Sequence, residues 1–234
     1  MNRHKILGLP LLFWVRQGLR RYQVAAKNYQ CYQQQALQQA LQVVAGSDLA
    51  RYYGLFPGQR SGPFQAEVPI LNYQDLEPYI VRTMQGDFGA MFAPEHPPVY
   101  FATTSGTTGP TKYIPVTRMS QSQYQKSWIL WGMALSQYDH EFLFQKILNL
   151  TGSTREWEAQ CGVPVGSITG LLAQNLSPWL RHAYVLKPEV GCLQDQDQRY
   201  QLIVRLALLC GNLHMINTAN PSTLLPFYNY LQQD

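Results

Sequence analysis

The chain is 234 residues long, 46% apolar and only 14% charged, enough to bury a large core as one big domain or a tight pair. Its net charge of +4 sits at the start: Arg3, Lys5, Arg16, Arg20, Arg21 and Lys27 precede the first acidic residue, Asp48, and the remainder holds 12 basic against 14 acidic side chains. Without a basic surface beyond that terminus, nucleic acid is not an expected partner.

Ile6 to Val15 is apolar and flanked by positive charge. No small-residue cleavage site follows it, and a run this short falls well below the ~20 residues that cross a bilayer. Residues 1–24 are therefore expected to form a basic, apolar amino-terminal helix, and residues 25–234 an α/β domain. Two roles stay open for the helix: packing on the domain, which we favour, or weak contact of residues 1–21 with an anionic membrane surface.

From Ala25 to Val44 apolar residues recur at helical spacing, and Gly46-Ser47 ends that helix. Its glutamines read as a neutral helix face. Residues 54–64, with Pro57, Gly58, Gly62 and Pro63, read as a loop. Asn72 can cap a short helix carrying Asp75 and Glu77, bent by Pro78. Residues 86–98 connect it to apolar Val99-Tyr100-Phe101.

Further on, Gln121 to Tyr138 reads as a helix whose Tyr124, Trp128 and Trp131 are expected in the core, with Thr117 as its cap. Phe142 to Leu150 and Ala183 to Leu186 read as strands, Tyr200 to Cys210 as a buried helix and Leu213 to Ile216 as a strand. Asn220-Pro221 opens a terminal helix by cap and first-turn proline. This alternation implies an α/β fold with a substantially parallel sheet. Cys31, Cys161, Cys192 and Cys210 lack metal or paired spacing, so they are expected to be free, buried thiols in a reducing, cytoplasmic compartment. His140 and His214 are expected to be structural, and no metal site of protein ligands is expected.

The most informative segment is Thr103-Thr-Ser-Gly-Thr-Thr-Gly-Pro-Thr-Lys112. Most Ser/Thr/Gly clusters are plain loops, so order and spacing decide. Gly106 and Gly109 permit positive φ and close backbone approach. The hydroxyls of Thr104, Ser105, Thr107 and Thr108 can donate to oxygens, and Lys112 adds a compact positive charge. That set suits nucleotide phosphates. The Walker A spacing fails, because Lys112 lies three residues beyond Gly109 and Tyr113 stands where a magnesium-binding hydroxyl belongs. The dinucleotide glycine pattern fails as well.

What fits is T-S-G-T-T-G-x-x-K, which resembles the phosphate loop of adenylate-forming enzymes; Pro110 sits one place earlier than the proline that commonly precedes the lysine there. The flanks Val68-Pro69-Ile70, Tyr73, Asp75, Pro78-Tyr79-Ile80, Gly86 and Lys112-Tyr113-Ile114-Pro115-Val116-Thr117 are similar to the auxin-responsive (Gretchen Hagen type) acyl-acid amido synthetases. So is the stretch from Gly162-Val163-Pro164 through Tyr184, Pro188 and Cys192 to Gly211, and the resemblance covers about residues 35–230. It implies part of the large amino-terminal domain of a luciferase-like enzyme. It also implies ATP-dependent activation of a carboxylic acid as acyl-adenylate, then amide formation with an amine such as an amino acid. ATP and Mg²⁺ would be the cofactors, with Thr104, Ser105, Gly106, Thr107, Thr108, Gly109 and Lys112 on the phosphates and Lys112 catalytic.

The family's acidic metal motif and ribose-binding aspartate do not appear after the loop, and Asp195 and Asp197 stand in the wrong context to replace them. The sequence thus reads as an amino-terminal portion, with the missing carboxy-terminal half expected as a separate chain. The alternative is a non-catalytic nucleotide- or partner-binding module derived from such an enzyme.

Overall fold

A run of local stop signals cuts the chain into short elements. The computed structural model describes residues 3–104, 110–139, 145–174, 181–193 and 195–232, with side chains from residue 13 onward. Helices α1 (Arg3–Lys27) and α2 (Tyr29–Val44) are followed by α3 (Asp48–Tyr52), α4 (Ser61–Glu67) and α5 (Tyr73–Met84). Strands β1 (Pro98–Thr103) and β2 (Tyr113–Thr117) flank the Thr/Ser/Gly segment, and α6 (Arg118–Tyr138) follows at once. Then come β3 (Lys146–Leu150), β4 (Trp157–Glu158), β5 (Pro164–Ser167), α7 (Ile168–Gln174), α8 (Gln196–Leu208), β6 (Leu213–Thr218) and α9 (Leu224–Leu231). The chain divides into two compact units, one of residues 1–19, 123–156 and 166–234, the other of residues 20–122 and 157–165.

In the first unit β3 and β6 pair in parallel, Leu148 opposite Ile216 and Asn149 opposite Asn217, as an α/β crossover requires. Tyr184 adds an isolated parallel bridge to Ile147, the remnant of the expected strand at 183–186. Leu148 and Leu150 bury against Tyr200, Ile203, Val204 and Ala207 of α8 and Phe227 of α9. Helix α8 is amphipathic rather than wholly buried, since Leu208 and Leu209 at its end are exposed. Asp195 caps it by accepting from the N–H groups of Asp197 and Gln198, and Asn220 caps the next turn by accepting from Ser222. Val15 and Leu19 of α1 pack on Met133 of α6, where a β-carbon at Gly18 would come within 2.6 Å of the Met133 sulfur. The described part of the amino-terminal helix thus packs through Val15 and Leu19, and among the described residues no helix is long and apolar enough to cross a membrane.

In the second unit the strand order is β2-β1-β5-β4, with β1–β2 and β4–β5 antiparallel. The α/β class is as expected, with parallel pairing in β3–β6 and antiparallel pairing around the loop. The core is formed by Val43, Leu49, Ile80, Met91 and Phe92, with Phe101, Ala159 and Val165 beneath the sheet.

Several expectations are corrected here. Residues 54–64 are not all loop, because α4 begins at Ser61 and places Pro63 in its first turn, where a missing N–H costs nothing. The helix capped at Asn72 is not short: α5 runs twelve residues with Pro78 inside it, and the Asp75 carboxylate accepts from the Asn72 N–H at 2.7 Å. The α2 glutamines are more than a neutral face: Gln34 and Gln38 both donate to the Gln59 carbonyl, at 3.2 and 2.6 Å. The cysteines are free but not buried: Cys31 and Cys192 are exposed, Cys161 and Cys210 half-buried, and Cys161 packs at the margin of the Phe101, Ala159 and Val165 core. His140 and residues 142–144 lie outside the described residues.

Leu148→Ala should cost about 2–5 kcal/mol in urea unfolding, because it empties a fully buried site. Leu209→Ala, at a side chain 83% exposed, should stay within about 0.5 kcal/mol.

Candidate functional site

Strand β1 is almost wholly buried: Tyr100, Phe101 and Ala102 are each at most 4% exposed, so it forms a fixed rail under the loop. β2 lies on the sheet edge, where Pro115 opposite Phe101 needs no outer partner for its missing N–H. Their pairing ends at Thr103 opposite Tyr113. One step further the Thr104 N–H donates to the Lys112 carbonyl at 3.1 Å, and the Lys112 N–H donates to Thr104 Oγ1 at 3.4 Å. The loop therefore closes on its own base as a hairpin. Of the expected phosphate-binding residues, Thr104 and Lys112 meet at this mouth; Ser105, Gly106, Thr107, Thr108 and Gly109 lie outside the described residues.

Lys112 is exposed, and its ammonium stands 5.4 Å from the centre of the Tyr73 ring. Tyr73 is the first residue of α5, and its hydroxyl accepts from the Tyr113 N–H at 3.0 Å. One aromatic side chain thereby touches both the backbone and the cation at the loop's foot. Tyr113 in turn meets Trp157 edge-on, with centroids 5.7 Å apart. Tyr73 entered the sequence reading only as a flanking residue. The signal available was an aromatic directly after a helix cap, which says nothing about its distant partner.

Two supports set this geometry. At the far end of α5, Arg82 bonds Asp48 of α3 at 2.5 Å and Asp87 through its Nε at 2.9 Å. The hydrogen bond from Arg82, then that from Arg51, holds the Asp48 carboxyl below its ordinary value of 3.8. Beyond β2, Thr117 caps α6 as expected: its Oγ1 accepts from the Ser120 N–H at 3.3 Å and its own N–H donates to Ser120 Oγ at 2.9 Å. The α6 aromatics are corrected. Tyr124 and Trp131 are 44% and 42% exposed, because the helix buries Met133 and Ser136 instead; Trp128 packs edge-on to Trp131 at 5.5 Å.

An exposed ammonium over a ring, beside threonine hydroxyls at a hairpin mouth, can attract and orient a polyanion. Among the described residues no group of three or more His, Cys, Asp or Glu side chains could hold a metal ion.

Residues 18–234 match the GH3 family N-terminal domain. The chain belongs to the GH3 family. It is 35% identical over 89 residues to the indole-3-acetic acid-amido synthetase GH3.8 of Oryza sativa subsp. indica, covering 38% of this chain and 14% of that protein. It is 24% identical over 157 residues to the jasmonoyl-L-amino acid synthetase JAR4 of Nicotiana attenuata, covering 66% and 26%. The solved GH3.15 acyl acid amido synthetase shares its fold at a TM-score of 0.72 and 22% identity, over 86% of this chain and 36% of that one. This GH3 chain therefore spans about a third or less of the length of these relatives.

Replacing Tyr73 with Phe keeps the ring under Lys112 and removes the acceptor of the Tyr113 N–H. Urea unfolding should show a loss of about 0.5–1.5 kcal/mol. Asp48 supplies a pH test. Its depressed carboxyl contributes fully above the unfolded value of 3.8, and the contribution is lost as pH falls through the lower folded value. The acid arm of a stability–pH curve should flatten in Asp48→Asn.

Proposed function

We propose that this chain carries the phosphate-binding wall of an acyl-acid amido synthetase. In that reaction a carboxylic acid is activated by ATP as an acyl-adenylate, and an amine such as an amino acid then displaces AMP to form an amide. The observation that carries the reading is the hairpin closure that sets Thr104 beside Lys112, with the ammonium exposed over Tyr73. The names of the relatives, an indole-3-acetic acid-amido synthetase, a jasmonoyl-L-amino acid synthetase and an acyl acid amido synthetase, support the same class.

In this reading Lys112 neutralises charge on the departing pyrophosphate, and Thr104 donates its hydroxyl to a phosphate oxygen. Ser105, Thr107 and Thr108 would add hydroxyl donors, and Gly106 and Gly109 would let the backbone approach. Mg²⁺ is expected to arrive with the nucleotide, held chiefly by phosphate oxygens. Tyr73 orients the ammonium without cancelling its charge. The acid and amine are small molecules, and the cytoplasm is the expected location.

ATP titrated calorimetrically into the chain should bind, and Lys112→Ala should weaken binding by roughly ten- to a hundredfold, the loss of one charge-assisted hydrogen bond. Pyrophosphate exchange into ATP should follow when the chain is joined to the carboxy-terminal portion of a family member and given an acid panel. Binding without exchange would favour the non-catalytic module, and no ATP binding would overturn both.

A further inference from the structure

The first unit holds a cavity of about 430 Å³ whose described lining residues run from Lys146 to Ile203, outside the 103–112 loop. That volume lies in the range of small-molecule sites. Its wall carries four cations, Lys146, Arg181, Lys187 and Arg199, against one carboxylate, Glu189. Two of the cations reach neutral acceptors: Lys146 Nζ donates to the His182 carbonyl, and Arg181 Nη2 donates to the Gln174 carbonyl at 3.0 Å. A carbonyl orients the Lys146 ammonium but leaves its charge in place. Among the described residues neither Lys187 nor Arg199 pairs with a carboxylate.

Arg199 is the most informative of the four. Its guanidinium lies 5.7 Å from the centre of the Tyr200 ring, and its Nε is buried with no hydrogen-bond partner. A guanidinium stays charged at neutral pH and offers its terminal nitrogens as a planar fork of donors. The rest of the wall is mixed, with Asn149, Thr151, Thr154, His182 and Tyr184 beside apolar residues, of which Ile203 and Val190 are shared with the core of this unit.

From these observations we infer that the cavity is a binding site for a phosphate monoester with a small apolar body. A dianionic head matches the excess of positive charge, and its oxygens match the guanidinium fork better than a monocarboxylate does. The apolar body would lie on Ile203 and Val190. This reading is independent of the adenylation loop and adds a second anion site to the chain.

Phenyl phosphate is the probe, titrated calorimetrically into the whole chain at low salt, with inorganic phosphate as the head alone and benzoate as the monoanion. Phenyl phosphate should bind saturably and more tightly than either. Arg199→Gln should weaken it at least about tenfold, and added salt should weaken it further. Lys187→Ala, at an exposed position, serves if Arg199→Gln fails to fold, and should weaken binding severalfold. The inference is overturned by any of four results: no saturable binding, benzoate binding equally well, both variants binding like the parent, or Lys112→Ala weakening phenyl phosphate in their place. The last result would put the phosphate at the loop. Failure of ATP binding alone leaves this site standing, so the two readings fail separately.

Discussion

Everything proposed for the loop depends on how β1 and β2 are registered. In an antiparallel pair a slip of one residue sends every side chain to the opposite face, and here that would move Lys112 off the Tyr73 ring. Three contacts resist the slip. Phe101 and its neighbours bury β1 completely, the Thr104 N–H bonds the Lys112 carbonyl, and the Tyr73 hydroxyl accepts from Tyr113. The first is apolar and unspecific. The other two fix the count of residues between the strands, which is what holds the two ends of the Thr/Ser/Gly segment together.

Those contacts need α5 to stand still, and it is tied at both ends. The Asp75 carboxylate closes the first turn on the Asn72 N–H. Arg82 in the last turn is a cation at the negative end of the helix dipole, and it pairs with Asp48 and Asp87. Between them Ile80 is buried in the core. Exposed ion pairs contribute little singly, so we assign them the orientation of α5 and the apolar contacts its stability.

The parts of the fold that could be read from sequence are those whose signal is local. Asn72 with Asp75, Thr117 with Ser120, and Asn220 with Pro221 each announce a helix start within three or four residues, and each does so in the structure. The hydrophobic spacing of α2 and the apolar runs of β1 and β6 are local too. What was missed depends on distant partners. β2 is disguised by Pro115, which only an edge position tolerates. β4 and β5 are two and four residues long, too short for periodicity, and turn at Gly162 with φ +75°. The α6 aromatics follow a helical stripe, yet which stripe is buried depends on Val15 and Leu19, more than a hundred residues earlier. The loop motif was legible, but Tyr73 beneath Lys112 was not.

The choice of partner for Lys112 bears on its role. Had a carboxylate held the ammonium, its charge would be locally cancelled and an arriving polyanion would have to displace a like charge. A tyrosine face holds it by the ring quadrupole, worth about 0.5–1 kcal/mol at an exposed site, and leaves the charge intact. The Tyr73 hydroxyl is meanwhile committed to the Tyr113 N–H, which keeps the ring from following the lysine when it moves. An ammonium on a flexible stem, loosely held and fully charged, suits a group whose charge must track a phosphate during displacement. A guanidinium held against an aromatic wall, as at Arg199, suits a group that binds in one orientation and stays. In the two proposals the loop would offer a phosphate an ammonium on a flexible stem, and the cavity a planar guanidinium beside a ring.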